Sequence, residues 1–149
     1  FDKLKNAVTG GAAKVDVGVV TRGEPFQLTV RAQADDADVK YDRVYLKVEG
    51  VEEAEVPSSD TVRDNDGDSH RRRENARARC TTFETKTDVA PEGELPANQS
   101  GEWTVQVEIP ETANPEFTGR YARHYYQVFA GMDCFGNDPD SGWVRLNVK

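Results

Sequence analysis

The sequence has few of the residues on which metal and nucleophilic chemistry depend. Its 149 residues include two cysteines and two histidines. A zinc site needs several Cys and His ligands at short spacings, and the sequence offers no such set. Neither His70 nor His124 stands in a pattern that supplies a serine or cysteine nucleophile. The glycine-rich motifs that bind phosphate groups are also missing. We therefore expect a protein that is not an enzyme and that binds no cofactor.

The two cysteines, Cys80 and Cys134, are too few for a disulfide framework. Their scarcity favours a reducing, cytoplasmic location in which both thiols are free. A single Cys80–Cys134 bridge is the alternative. His124 falls in a strand among apolar neighbours, where a histidine more often belongs to the core than to a catalytic site.

Long apolar runs and a positive net charge are also missing. No apolar stretch approaches the ~18 residues that a membrane-spanning helix needs. The net charge of −8 disfavours nucleic acid and anionic membranes as partners. Five arginines do cluster in HRRRENARAR, but no aromatic residue is interleaved with them. We expect no nucleic-acid partner and no membrane span, and an acidic protein partner for this cluster stays open.

Apolar and polar residues alternate with a period of two along most of the chain, as is typical of β-strands with one buried face. FQLTVRAQA shows the alternation without error, and AAKVDVGVV, RVYLKVEG, EWTVQVEIP and WVRLNVK repeat it. In AAKVDVGVV the pattern places Val19 on the buried face. It predicts that the core includes Phe26, Leu28, Val30, Val44, Leu46, Val105, Val107, Val128, Leu146 and Val148.

Many such strands separated by Gly, Pro, Asn and Asp turns indicate an all-β protein. The predicted architecture is an antiparallel, immunoglobulin-like β-sandwich that forms a single domain over 1–149. Phe1, Leu4 and Val8 recur at helical spacing, which predicts a short N-terminal helix at 1–9. The interval 57–76 has no periodicity and almost no apolar residues, and we interpret it as an exposed loop.

An acidic stretch within that interval, DNDGD, places Asp64, Asp66 and Asp68 around a glycine. A calcium loop needs closely spaced oxygen ligands and a bidentate glutamate at its twelfth position. That position, counted from Asp64, is Asn75, and the glycine comes two places early. The stretch therefore fits a solvated turn better than a metal site, and calcium binding remains an alternative.

The end of the chain, GRYARHYYQVFAGMDCFGNDPDSGWVRLNVK, reads as a long aromatic strand, a turn and a last strand. The turn formers at 136–139 predict a hairpin. In the long strand Tyr121, Arg123, Tyr125, Gln127 and Phe129 share one face. Tyrosine and arginine are enriched at interface hot spots. We therefore assign Tyr121, Arg123 and Tyr125 as candidate partner-binding residues. The alternative is that these rings only cover the sheet or meet the N-terminal helix through Phe1 and Leu4.

Four stretches in order carry a resemblance to a known family: GGAAKVDVGVV, RGEPFQLTVRAQA, YDRVYLKVEG and EIPETANPEFTGRYARHYYQVFAGMDCFGNDPDSGWVRLNV. Together they resemble the sporulation-control (Spo0M-type) family, which is related to the arrestin N-terminal domain. The resemblance covers about 10–148, except for the interval 56–76, and corresponds to one arrestin-like half. It implies that the sandwich is an immunoglobulin/arrestin-like β-sandwich and that the protein is a regulatory scaffold without enzyme chemistry.

Two functions from different classes follow. The leading hypothesis is a non-enzymatic regulatory or scaffold protein that binds a protein partner, through edge strands, loops or the aromatic face. Self-association as a homo-oligomer is left open. The alternative is a β-sandwich that binds a small ligand or calcium through DNDGD.

Overall fold

The computed structural model describes residues 11–63, 69–136 and 138–149. All regular secondary structure in these ranges is β-strand, which confirms the all-β class. The short helix predicted for 1–9 lies outside the described residues. The strands are β1 (Gly11–Asp16), β2 (Val19–Val20), β3 (Phe26–Ala34), β4 (Val39–Arg63), β5 (Ser69–Ala90), β6 (Gly93–Leu95), β7 (Ser100–Val107), β8 (Phe117–Thr118), β9 (Ala122–Cys134), β10 (Asp140–Arg145) and β11 (Asn147–Val148).

In the described ranges these strands form two main antiparallel sheets and one small parallel pair. The three-stranded sheet has the order β1–β3–β7. In the six-stranded sheet β10, β9, β4 and β5 lie side by side, while β6 pairs with the start of β4 and β8 with the start of β9. β2 pairs in parallel with β11. The two longest strands, β4 and β5, therefore dominate the larger sheet.

One hydrophobic core contains side chains of both main sheets. Leu28 and Val30 of β3, Leu46 and Val48 of β4, and Val128 of β9 are all fully buried in it. The alternation of each strand explains this arrangement, because every second residue faces the other sheet. All ten residues predicted for the core belong to it or pack against it, namely Phe26, Leu28, Val30, Val44, Leu46, Val105, Val107, Val128, Leu146 and Val148.

The exposed loop predicted for 57–76 is wrong for 57–63 and 69–76, where β4 and β5 continue as an antiparallel ribbon. Its register runs from Pro57 opposite Asn75 to Arg63 opposite Ser69. β9 pairs with β4 only as far as Ala54, so the ribbon has no third strand in the described residues. Backbone hydrogen bonds pair two antiparallel strands without requiring an apolar alternation. The sequence pattern therefore gave no indication of the ribbon.

AAKVDVGVV is likewise not a single strand, and the burial predicted for Val19 is wrong. β1 ends at Asp16, two residues intervene, and β2 begins at Val19. β2 pairs with β11 instead of β3, so the face that it buries changes. Val19 is consequently exposed, and Val20 takes its place in the core.

The closing hairpin predicted at 136–139 is confirmed, because β9 and β10 pair in antiparallel fashion on either side of it. The Cys134 amide donates a hydrogen bond to Asp138 Oδ1 at 2.8 Å. Gly136 has a φ of 95°, a left-handed conformation that favours glycine. The turn thus has a structural explanation that needs no catalytic group.

Replacing Leu28 with alanine tests the core directly. Leu28 is fully buried at the centre of β3, opposite Val105. We expect Leu28→Ala to lower the free energy of unfolding by about 2–5 kcal/mol in urea titrations. The matched control is Gln27→Ala, at an exposed position next to it, with an expected change within about 0.5 kcal/mol. Equal effects of the two substitutions would contradict the assigned faces of β3.

Candidate functional site: the outer face of the six-stranded sheet

The candidate partner-binding residues lie on the face of the six-stranded sheet that is turned away from the core, which we call the outer face. On β9 the residues His124, Tyr126 and Val128 face inward and are buried. By alternation the outer face carries Arg123, Tyr125, Gln127 and Phe129 of β9 and Arg43, Tyr45, Lys47, Glu49, Val51, Glu53 and Glu55 of β4. The faces predicted for β9 are therefore the observed ones.

The Glu53 carboxylate joins two of the candidate residues. The Tyr125 hydroxyl donates to Glu53 Oε1 at 2.6 Å. Arg123 donates to Glu53 Oε2 from Nε at 2.9 Å and from Nη2 at 2.6 Å. These hydrogen bonds, that of Tyr125 first, lower the pKa of Glu53 below its ordinary value although burial opposes them. Glu53 is therefore the anion around which this part of the outer face is organised.

The same charge pattern extends across β4 to β5. Arg79 Nε lies 3.6 Å from Glu53 Oε1, and Arg79 Nη2 lies 3.2 Å from Glu49 Oε1. Gln127 donates to the same Glu49 oxygen. Two residues further along each strand, Arg77 Nη2 lies 3.3 Å from Glu55 Oε1. Each of these three glutamates of β4 thus pairs with an arginine of β5, and Glu53 pairs with Arg123 of β9 as well.

Two hydrophobic side chains that face each other, in addition to that of Tyr45, are buried on the outer face itself. Val51 is inaccessible to solvent and Tyr125 is 7% exposed, yet neither belongs to the main core. The two residues lie opposite each other on β4 and β9. The guanidinium of Arg145 lies 3.6 Å from the centre of the Tyr125 ring. Burial is the first reason that the pKa of Tyr125 is raised, and its bond to Glu53 is the second.

Tyr121 and Arg123 line an open groove with a volume of about 900 Å³. One wall is the β4–β5 ribbon, with Pro57 and Arg77, and the other is the segment between β8 and β9. Tyr121 is 45% exposed there. The structure thus brings Tyr121 and Arg123 to one surface, whereas most of Tyr125 is buried beside it.

A second cluster lies toward the β9–β10 hairpin. The rings of Tyr45, Phe129 and Trp143 follow one another across β4, β9 and β10, with centroids 6.3 Å and 5.4 Å apart. A Cβ atom at Gly131 would lie 2.6 Å from the Tyr45 hydroxyl, so glycine is needed for the Tyr45 ring to lie there. Burial raises the pKa of Tyr45. We call Tyr45, Phe129 and Trp143 the aromatic row.

His124 is a core residue, as its neighbours in the sequence predict. Its Nδ1 lies 2.9 Å from the Pro115 carbonyl, which only accepts hydrogen bonds, so Nδ1 carries a proton. Its Nε2 lies 2.6 Å from the Thr82 hydroxyl. Tyr126 donates to the neighbouring Asn114 carbonyl. These contacts attach the segment before β8 to the inner face of the sheet.

The thiols of Cys80 and Cys134 are both free. Cys80 is exposed, whereas Cys134 is half-buried. Burial and, after it, the charges of Asp138 and Asp133 raise the pKa of the Cys134 thiol to about 11. A thiol with so high a pKa is a poor nucleophile at neutral pH.

Neither a metal centre nor a membrane span is found in the described part of the chain. Among its residues no group of three or more His, Cys, Asp or Glu side chains is arranged to hold a metal ion. The DNDGD stretch of the calcium alternative lies at 64–68, outside those residues. The described ranges also contain no apolar helix of membrane-spanning length.

Sequence reasoning missed Glu53 and the aromatic row. A signal for Glu53 was present, since Glu53 and Glu55 alternate on β4 as Arg77 and Arg79 do on β5. Opposite charges with matching period-two spacing are expected on paired strands. The aromatic row gave no such signal, because Tyr45, Phe129 and Trp143 are far apart in sequence and meet only through the register.

Comparisons with known proteins support the fold. No protein-family model and no curated protein sequence matches the chain. The solved structure of the sporulation control protein Spo0M from Bacillus subtilis is similar, with a TM-score of 0.60 and 17% identity over 93% of this chain. The match covers 49% of that protein, so the chain spans about half its length. At this identity the likeness shows a Spo0M-like fold.

Two enzymes resemble the chain more distantly. AvmM, which catalyses macrocyclization in alchivemycin A biosynthesis, has a TM-score of 0.43 and 13% identity over 92% of this chain and 86% of its own. A family 123 glycoside hydrolase from Clostridium perfringens has a TM-score of 0.44 and 8% identity over 93% of this chain and 27% of its own. Likenesses this weak carry no argument about activity.

The lowered pKa of Glu53 predicts a pH dependence of stability. A carboxyl whose pKa is lower in the folded chain stabilises the fold above its ordinary pKa of 4.5, and this contribution is lost as the pH falls through the lowered value. We expect Glu53→Gln to lower the free energy of unfolding by about 1 kcal/mol at pH 7, because the two arginines that pair with Glu53 are half exposed. The difference from wild type should shrink in urea titrations below pH 4.5. Glu92→Gln, at an exposed turn, is the control, and a difference that is constant with pH would contradict the assignment.

The two thiols should react at different rates. We expect iodoacetamide at pH 8 to modify Cys80 first and Cys134 slowly, because Cys134 is half-buried and its pKa is about 11. Mass spectrometry of peptides after short treatment measures both rates, and denatured protein, in which they should converge, is the control. A native mass lower by two hydrogens would instead reveal a Cys80–Cys134 bridge.

Proposed function

We propose that the chain is a non-enzymatic regulatory or scaffold protein, an arrestin-like β-sandwich that acts by binding a protein partner. The observation that carries the proposal is the open groove beside Tyr121, at the end of the outer face. The fold likeness supports it, since the similar Bacillus subtilis structure is that of a sporulation control protein. The free thiols agree with a cytoplasmic location.

The groove has the composition of a protein interface. Tyr121, Arg120 and Pro57 present large exposed surfaces around it. Tyrosine and arginine are over-represented among the residues that dominate binding energies. Binding would cost little side-chain entropy here, because Arg120 and Tyr121 already contact each other. The Arg120 guanidinium lies 5.3 Å from the centre of the Tyr121 ring.

Arg123 and Tyr125 take different parts in this proposal. Arg123 holds Glu53 with two hydrogen bonds but keeps half of its side chain exposed to the groove. Tyr125 is buried and fixes Glu53 from the other side. We therefore assign Tyr121 and Arg123 to direct contact with the partner, and Tyr125 to positioning them.

The test compares two exposed aromatic residues near opposite ends of β9. Tagged wild-type protein, Tyr121→Ser and Phe135→Ser are used to capture proteins from a cytosolic extract, followed by quantitative mass spectrometry. Both side chains are exposed, so melting temperatures should stay within a few degrees of wild type. We expect Tyr121→Ser to lose at least one specific protein that Phe135→Ser retains.

Two outcomes would contradict this proposal. Loss of captured proteins only with Phe135→Ser would move the interface to the β9–β10 hairpin. Equal capture by all three proteins would remove the groove as a binding site. Size-exclusion chromatography of the same proteins shows whether the captured partner is a second copy of the chain.

A further inference from the structure

Four residues lie side by side across the outer face, one from each adjacent strand. Trp143 of β10 is opposite Phe129 of β9, Phe129 is opposite Lys47 of β4, and Lys47 is opposite Lys86 of β5. Two aromatic side chains are thus followed by two lysines in one line. This line crosses the aromatic row and lies on the hairpin side of Glu49, away from the groove.

The two lysines have an unfavourable arrangement. Like charges directly opposite each other on paired strands destabilise a sheet. In the residues that the structure describes, neither Lys47 nor Lys86 is within ion-pair distance of a carboxylate. The arginines of the same face are paired, for example Arg79 with Glu49 and Arg123 with Glu53. In a chain of net charge −8, two adjacent lysines without an anion call for an explanation.

Aromatic rings hold the lysines in place without neutralising them. Lys47 Nζ is 5.7 Å from the centre of the Tyr45 ring and 5.9 Å from that of Phe129. Lys86 Nζ is 5.0 Å from the centre of the Tyr45 ring. The ring faces attract the ammonium groups, but both positive charges remain. Both ammonium groups therefore lie near the Tyr45 ring, where one anion could contact them together.

The surroundings limit the kind of anion. Glu49 and Glu84 face each other next to the lysines on one side. On the other side Asp88 and Asp133 bind Arg43. The positive potential is therefore confined to the two lysines, which suits one carboxylate better than a polyanion such as nucleic acid. Beside them Trp143 is 46% exposed and offers an apolar surface.

We propose that this line of residues binds an acidic segment of a protein partner. One carboxylate of the segment lies between Lys47 and Lys86, and an apolar side chain next to it packs on Phe129 and Trp143. Adjacent strands are about 4.8 Å apart, so the two contacts are about 10 Å apart, the length of two to three extended residues. The site rests on the proposed function only in that its ligand is a protein segment.

The experiment uses the two tryptophans of the chain as internal probes. Uniformly ¹⁵N-labelled protein is titrated with a ten-residue peptide whose only apolar residue is a phenylalanine and whose only charged residue is a glutamate two positions later. We expect a saturable shift of the Trp143 indole N–H signal. The indole of Trp103, which lies on β7 of the other sheet, should stay unchanged.

Variants separate the site from general charge effects. In Lys47→Gln/Lys86→Gln we expect the dissociation constant of the peptide to rise about tenfold or more, because a charge-assisted contact is lost. Lys40→Gln/Lys149→Gln removes the same charge elsewhere and should bind like wild type. Lys86→Glu would give Lys47 a carboxylate to face, so its melting temperature should equal or exceed that of wild type while peptide binding is lost.

Several results would overturn the proposal. One is no shift of Trp143 at millimolar peptide, and another is equal binding by the two double variants. A peptide with glutamine in place of glutamate that binds as tightly would show that the lysines have no part. A ten-nucleotide thymidine oligomer that shifts Trp143 more strongly would assign the site to nucleic acid. Loss of the groove partners leaves this titration unaffected, so the two proposals fail separately.

Discussion

The register of β4 against β9 and β5 is the constraint on which the rest of the structure depends. It places Val44, Leu46 and Val48 toward the other sheet and their alternate neighbours outward. A shift by one residue would exchange the two sets and place Glu49 and Glu53 in the core. The same pairing therefore fixes the hydrophobic core and composes the outer face. Because packing of the core specifies the register, it also determines which side chains lie together on the outer face.

Charged side chains on the outer face are arranged in two opposite ways, paired in one region and unneutralised in the other. In the first region Glu53 lies between Arg123 of β9 and Arg79 of β5. Glu49 and Glu55 each pair with an arginine of β5, so these charges are satisfied within the chain. Around Tyr45 two lysines face each other and contact aromatic rings, and no carboxylate of the described residues pairs with them. At the rim of the first region Tyr121 is exposed. The second region keeps charge that a ligand can neutralise. Both regions include residues of β4 and β9 and therefore belong to the same sheet.

The sequence was sufficient for the core and for the faces of the strands, because period-two alternation directly reflects burial. It correctly placed Leu28 and Val128 inside and Arg123 outside. It failed where pairing continues without burial, as in the ribbon beyond Ala54, since backbone hydrogen bonds leave no apolar signal. It also failed at Val19, where a change of strand partner reverses the buried face. The aromatic row could not be predicted, because its three rings meet only through the register between strands. The sequence of one strand does not specify that register.

The claim that partners bind the outer face is tested most directly by hydroxyl-radical footprinting of the chain, once in buffer and once with its captured partners. We expect the partners to reduce the modification of Tyr121 or Trp143, which lie at opposite ends of the outer face. Phe135 at the hairpin and Trp103 on the other sheet should keep their rates of modification. Protection of Phe135 or Trp103 with unchanged Tyr121 and Trp143 would contradict this claim.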